Sequence, residues 1–366
     1  MKTKPRARDL GLHFDGTPGP NNAITDVAGL TVGFTTVIED AAPGRHKGLC
    51  TGVTAILPRG VSGEIEPVWA GIHSFNGNGE LTGGHHIADL GWFLGPVMLT
   101  NSHGVGMVSH AVTGWMIDRY RQVFEDDHMW CLPVVGETYD GVLSDINARA
   151  VTEDHARVAL DGAKSGPVAE GNVGGGAGMI AYEFKGGTGT ASRRIKVADE
   201  TYDLGVLVQA NHGARDGLKI SGVPVGQHMR EDLVHSRETG SIIVVIATDA
   251  PLLPHQLNRL ARRGSIGIGR NGTSGGHSSG DIFLAFSTAN PQRNPCHAPD
   301  VMDLRALKDT HLDAFYVAAV QAIEEAVVNA MIAAEDRIAV KPAGKRVRAI
   351  DHARLIELIN EKGRGL

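Results

Sequence analysis

Short apolar runs alternate with glycine-punctuated polar stretches along the whole chain, and most runs have strand length rather than helix length. Leu30-Thr31-Val32-Gly33-Phe34 alternates as a half-buried strand does, within an extended stretch over 24–37. Further strands are expected at 49–57, 68–72, 131–135, 179–184, 202–209, 241–248 and 281–287. Helical spacing enters at 106–121, where Val108, Val112, Trp115, Met116 and Tyr120 recur on one side. Thr152 can cap a helix that runs to about 160 and ends at Gly162. Asp249 is expected to cap another, with Pro251 in its first turn, a stripe of Leu253, Leu257, Leu260 and Ala261, and Gly264 as its stop. The alanine-rich stretch 313–335 is apolar most of the way round, which predicts a helix buried between layers. A last helix is expected at 351–362, ended by Gly363.

The intervening stretches 75–80, 136–141, 171–178 and 186–192 read as polar or glycine-rich loops. Residues 213–240 show little periodicity and read as an exposed excursion, the kind of segment where chains are cut. With no linker and no repeat, residues 1–366 are expected to form a single domain. Its fold class is α+β or α/β, built as a layered sandwich.

Composition narrows the class of function. Glycine is the outlier at 48 of 366 residues, about twice average usage, and it is scattered without a period. Tight turns and close backbone approaches are the expected reason. The net charge of -6 leaves no basic footprint for nucleic acid. The basic start, Met1 to Arg8, is followed by no apolar core of a secretory signal, and no run is long enough to span a bilayer, so a cytoplasmic protein with no membrane partner is expected. Cys50, Cys131 and Cys296 make neither a disulfide framework nor a zinc pattern.

Several motifs carry little. Gly267-x-Gly269-x-x-Gly272 matches a dinucleotide fingerprint only as a string, since it follows a helix and opens none. Residues 171–178 lack the Lys-Ser/Thr ending of a phosphate loop. His73, His85, His86 and His128 have no metal-ligand spacing. Gly276-His277-Ser278-Ser279-Gly280 satisfies the nucleophile-elbow string, but a strand follows it where a helix is required. Ser279 and Asp281 nonetheless alternate at the start of that strand and share a side.

Gly240-Ser241 is the most informative pair. A serine opens the β-branched run Ile242-Ile243-Val244-Val245-Ile246 directly after a glycine. An ordinary loop-to-strand junction accounts for it; so does a nucleophile released as a new N-terminus. A serine hydroxyl needs a base within reach. A free α-amine, with a pKa of roughly 7.7–8.0, is such a base, whereas an amide nitrogen is not. Attack of Ser241 Oγ on the Gly240 carbonyl, followed by hydrolysis of the ester, would create the catalyst.

The stretches Ile24-Thr25-Asp26-Val27-Ala28-Gly29-Leu30-Thr31-Val32-Gly33, Glu170-Gly171-Asn172-Val173-Gly174-Gly175-Gly176 and Gly240-Ser241-Ile242-Ile243-Val244-Val245 resemble the P1 (DmpA) aminopeptidase family of L-aminopeptidase/D-esterases, D-amidases and β-peptidyl aminopeptidases. Leu260-Ala261-Arg262-Arg263 and Ser279-Gly280-Asp281 extend the match over essentially the whole chain. The resemblance implies a four-layer αββα sandwich, shared with ornithine acetyltransferase, and a homotetramer. It implies self-cleavage at Gly240–Ser241 into an α chain, 1–240, and a β chain, 241–366. Ser241 would be the nucleophile and Asn211 the oxyanion donor, with Tyr139 near the nucleophile. Glu137 would hold the substrate's free amine, and Ser279 with Asp281 would orient Ser241. The implied reaction needs no cofactor or metal. It is hydrolysis of N-terminal aminoacyl amides, short peptides or esters, through an acyl-enzyme on Ser241. The alternatives are an acyltransferase like ornithine acetyltransferase, whose new N-terminus is threonine, and an uncut non-catalytic scaffold.

Overall fold

The computed structural model describes residues 4–61, 64–234, 240–291 and 294–362. In chain order, β1 (Thr31–Glu39), β2 (Leu49–Leu57) and β3 (Val68–Ser74) are followed by α1 (Gly84–Leu90), β4 (Trp92–Phe93) and β5 (Val97–Asn101). Helices α2 (Val105–Arg119) and α3 (Arg121–Asp126) lead to β6 (Val134–Thr138) and α4 (Glu153–Asp161). A tight hairpin, β7 (Ile180–Ala181) and β8 (Phe184–Lys185), opens the long pair β9 (Gly187–Val197) and β10 (Glu200–Asn211). Then come α5 (Val225–His228), β11 (Ser241–Thr248), α6 (Pro254–Ala261), α7 (Arg263–Arg270), β12 (Ile282–Ser287) and α8 (Leu312–Ile332). A hairpin of β13 (Arg337–Val340) with β14 (Ala343–Val347) and α9 (His352–Lys362) close the chain.

Two sheets stack face to face. One has the order β1-β2-β5-β6 and the other β4-β3-β12-β11-β10-β9. Ile56, Leu99 and Val134 from the first meet Leu207, Ile243, Val245 and Leu284 from the second in the core between them. The outer face of the smaller sheet is covered by Val108, Val112 and Met116 of α2 and by Ala156 and Leu160 of α4. The outer face of the larger sheet is covered chiefly by α8, with Phe315, Ile323 and Val327, and by α6 and α7. The result is the four-layer αββα sandwich.

Burial on both faces explains the lack of alternation in β11. Ile242, Val244 and Ile246 point to the helix layer, and Ile243, Val245 and Ala247 to the neighbouring sheet. Each of these isoleucine and valine side chains contributes about 1.5–3 kcal/mol on burial, so β11 is a rigid base for the serine at its start.

Several sequence expectations need correction. Residues 136–138 belong to β6 rather than to a loop, and 186–192 lie largely in β9 rather than in a turn. Gly189 packs so closely on α8 that an added Cβ would stand 2.0 Å from Ala326 O, so this glycine serves sheet-to-helix contact. The stretch 179–184 is a hairpin with Tyr182 and Glu183 at positive φ, not one strand. The helix expected from Asp249 begins at Pro254, and Gly264 lies inside α7, where a Cβ would meet the Phe283 ring at 2.1 Å. The exposed excursion is also wrong for its first half. Leu218, Ile220, Val223 and Val225 are wholly buried in the outer core. Its last part, 235–239, lies outside the described residues, as does Gly363. Finally, one helix, Asp309–Ile332, is long and apolar enough by composition to cross a bilayer. In this fold 83% of its apolar window is buried inside the protein.

Candidate active site

Strand pairing assembles the site at one end of the larger sheet. Antiparallel pairing of β10 with β11 sets Asn211 opposite Ser241. Parallel pairing of β11 with β12 sets Ile243 beside Ile282, so Asp281 arrives level with Ile242. The Asp281 carboxylate accepts the Ile242 N–H at 3.1 Å through Oδ1 and the Ser279 hydroxyl at 2.9 Å through Oδ2. Gly280, between them, donates its N–H to Ser241 Oγ at 2.8 Å. Ser279 and Asp281 are wholly buried.

Gly240 is a glycine for lack of space. An added Cβ would lie 1.6 Å from Asn211 O and 3.1 Å from Asn211 Nδ2. The Asn211 amide therefore sits directly against the residue before the serine. Its orientation is fixed: Oδ1 accepts the Ile180 N–H at 2.8 Å, and Nδ2 donates to Tyr139 O at 3.1 Å.

Tyr139 thus joins the cluster through its carbonyl, while its side chain is exposed and lies against Gly141. Glu137 is close in sequence but differently engaged. Its Oε1 accepts the Glu80 N–H at 3.1 Å, and Oε2 accepts the Ser102 hydroxyl. No bond links Glu137 to Ser241 among the described residues. Strand β6 does reach across the sheet gap, with Gly136 packed on Ile243.

Residues that sequence reasoning did not assign form a supporting layer. Asn76 donates to Ser279 Oγ at 2.7 Å. Its loop, 75–80, carried the signal of dense hydrogen-bonding groups but no indication of its partner. Asp140 is buried under Asn101, which donates to it at 2.9 Å. Burial pushes its carboxyl up to about 6, against the opposing bonds from Thr51 and Asn101. Lys185 is wholly buried and donates to Met179 O at 2.8 Å and Gly186 O at 2.9 Å, bracing the turn that leads into Ile180. Burial draws its pKa down to about 7, with the Cys50 thiol acting the other way. His212, next to Asn211, is buried with neither ring nitrogen bonded among the described residues, edge-on to Tyr182 at 5.1 Å. Burial lowers its pKa to about 3.

Residues 22–342 match the model of peptidase family S58. The chain belongs to peptidase family S58. Within the family's reach it is 46% identical to the β-peptidyl aminopeptidase BapA of Sphingosinicella microcystinivorans, over 98% of this chain and 92% of that protein. The structure of an L-aminopeptidase D-Ala-esterase/amidase from Ochrobactrum anthropi, described as a prototype serine aminopeptidase with a variant of the Ntn-hydrolase fold, superposes with a TM-score of 0.95. It is 58% identical, covering 99% of both chains. A β-aminopeptidase of a Burkholderia species superposes with a TM-score of 0.88 at 44% identity, covering 98% of this chain and 99% of that one. This S58 chain therefore has the Ntn-hydrolase fold variant of those enzymes, as its two stacked sheets anticipate.

Proposed function

We propose that this S58 chain is a serine aminopeptidase and amidase that activates itself by cutting Gly240–Ser241. The observation that carries the reading is the register that sets Ser241 opposite Asn211, with Ser279-Gly280-Asp281 alongside. In the first step Ser241 Oγ adds to the Gly240 carbonyl, and the peptide bond is exchanged for an ester as the proton passes to the Ser241 nitrogen. The Asn211 amide, packed on Gly240, is suited to donate to the developing oxyanion. Water then hydrolyses the ester, leaving a Gly240 carboxylate and a free Ser241 amine.

In turnover that amine takes the Ser241 hydroxyl proton as Oγ attacks the substrate carbonyl. The leaving amine takes a proton back, and water releases the acid from the acyl-enzyme. Substrates are short peptides, amides or esters with a free amino group. Glu137 supports that selection, because its buried carboxylate pairs with neutral donors and with no cation among the described residues. A substrate ammonium supplies the missing counter-charge. Tyr139 holds the Asn211 amide through its carbonyl. The active particle is a cytoplasmic homotetramer.

Intact mass spectrometry of the purified protein tests the reading. Two fragments, 1–240 and 241–366, are expected, and Ser241→Ala is expected to remain one inactive chain. A full-length parent that hydrolyses aminoacyl p-nitroanilides would refute self-activation.

A further inference from the structure

Asn76 lies on the loop after β3, outside the residues assigned to the chemistry above. Its Nδ2 stands 2.7 Å from Ser279 Oγ, 3.2 Å from Gly276 O and 3.4 Å from Gly275 O. A main-chain carbonyl only accepts hydrogen bonds, so the amide atom that faces two of them is the nitrogen and not Oδ1. An amide nitrogen in turn only donates. At 2.7 Å an N–H must therefore lie on the line to Ser279 Oγ, and Ser279 is the acceptor in that bond.

The single proton of the Ser279 hydroxyl is then directed to Asp281 Oδ2, 2.9 Å away, while Oδ1 takes the Ile242 N–H. The loop at 275–280 is held at a second point. Asn78 Nδ2 donates to Ser278 O at 2.6 Å, and a Cβ on Gly280 would strike Asn78 O at 2.2 Å. The two loops are laced together just where the Gly280 N–H meets Ser241 Oγ.

We infer that Asn76 is a positioning residue for Ser241. Its amide holds the 275–280 loop so that the Gly280 N–H stays on the nucleophile, and it sets the direction of the hydrogen bonds running through Ser279 to Asp281. With Asn76 in place, Ser279 gives its proton to Asp281. Without Asn76, the hydroxyl can rotate, Gly275 O loses its bond to the amide, and Gly276 O is left with the Ser279 N–H. Asn76 acts through Ser279 and Gly280 and touches no substrate in this account.

The inference rests on Ser241 being the nucleophile, and its test separates the two. Asn76→Ala, Asn76→Asp, Ser279→Ala and the Asn76→Ala/Ser279→Ala pair are compared with the parent on an aminoacyl p-nitroanilide that the parent cleaves. Asn76→Ala is expected to lower kcat about tenfold or more, an effect of the size found when acid–base geometry is disturbed, with KM within about threefold. Asn76→Asp keeps the volume but has no N–H to donate, so it is expected to be no better than alanine. Because the Asn76–Ser279 bond is common to both variants, the pair is expected to lose less than the product of the two single losses.

Recovery of kcat in Asn76→Asp, a purely KM effect, or losses that multiply in the pair would each overturn the inference. So would failure of both Asn76 variants to fold, which assigns the residue a structural role. If Ser241→Ala leaves the parent's activity intact, the nucleophile assignment itself falls. If Ser241→Ala is dead and Asn76→Ala is unaffected, only this inference falls.

Discussion

Asn211, the last residue of β10, and His212, the next in the chain, have opposite surroundings. Asn211 has both ends of its amide bonded, whereas the His212 ring lies edge-on to Tyr182 with neither nitrogen bonded among the described residues. A buried imidazole without an acceptor stays neutral, and its pKa falls to about 3 from 6.5. Between those values the unfolded chain binds a proton that the folded chain refuses, so His212 makes stability fall as the pH drops. The loss is about 2 kcal/mol between pH 6.5 and 5. Glu170 and Asp140 act in the opposite sense. Burial raises their carboxyls to about 7 and about 6, so the folded chain holds protons more tightly and gains stability as the pH falls through that window. The parent's net slope mixes these effects, and only a difference isolates His212. His212→Phe is expected to lose less stability than the parent between pH 6.5 and 5, measured by denaturant unfolding at each pH. Parallel slopes in the two proteins would refute the assignment.

Helices and strands in this fold meet at several glycines, and contact distances rather than turn conformations explain them. Gly189 on β9 sits under Ala326 O of α8, Gly71 on β3 under the Asn258 N–H of α6, and Gly264 on α7 against Phe283. The excess of glycine in the composition is in part the requirement for backbones to approach. Gly189→Val would insert a branched side chain where even one carbon has no room. It is expected to destabilise the fold by about 1–3 kcal/mol, as a lower midpoint in urea. An unchanged midpoint would show that α8 can move away freely. Asn76 and the 275–280 loop follow the same rule on a smaller surface, with Gly280 admitting Asn78 O.

Cutting Gly240–Ser241 would not divide the molecule into two cores. The α chain ends beside β10 and the β chain begins with β11, and these two strands pair along Asn211↔Ser241 to Leu204↔Thr248. Strands β11 and β12 also lie inside the larger sheet, with β10 on one side and β3 on the other. The expected outcome is two fragments under denaturing conditions that elute as a single particle from a native sizing column. Separation of the fragments without denaturant would contradict this arrangement.

Sequence by itself determined the parts whose causes are local. The β-branched run makes β11 and the apolar run makes β2, and Thr152 caps α4 as expected. The apolar surface of 313–335 correctly predicts a buried helix, but α8 lies in the outer layer against the larger sheet and not between layers. Gly240-Ser241 stood out because a nucleophile with its own amine is a chemical idea readable from two residues, and the motifs around Asn211 and Ser279-Gly280-Asp281 matched a family pattern. What was misread depended on distant partners. Turn-like Gly187 and Gly189 lie in β9, with α8 packed on Gly189, Gly264 stays helical over Phe283, and Leu218, Ile220, Val223 and Val225 join the outer core. The site divides in the same way. Ser241 and Asp281 could be named from local pattern, but Asn76 bonds to Ser279 across 203 positions. The direction of that hydrogen bond follows from two carbonyls that only the folded chain brings to the same amide.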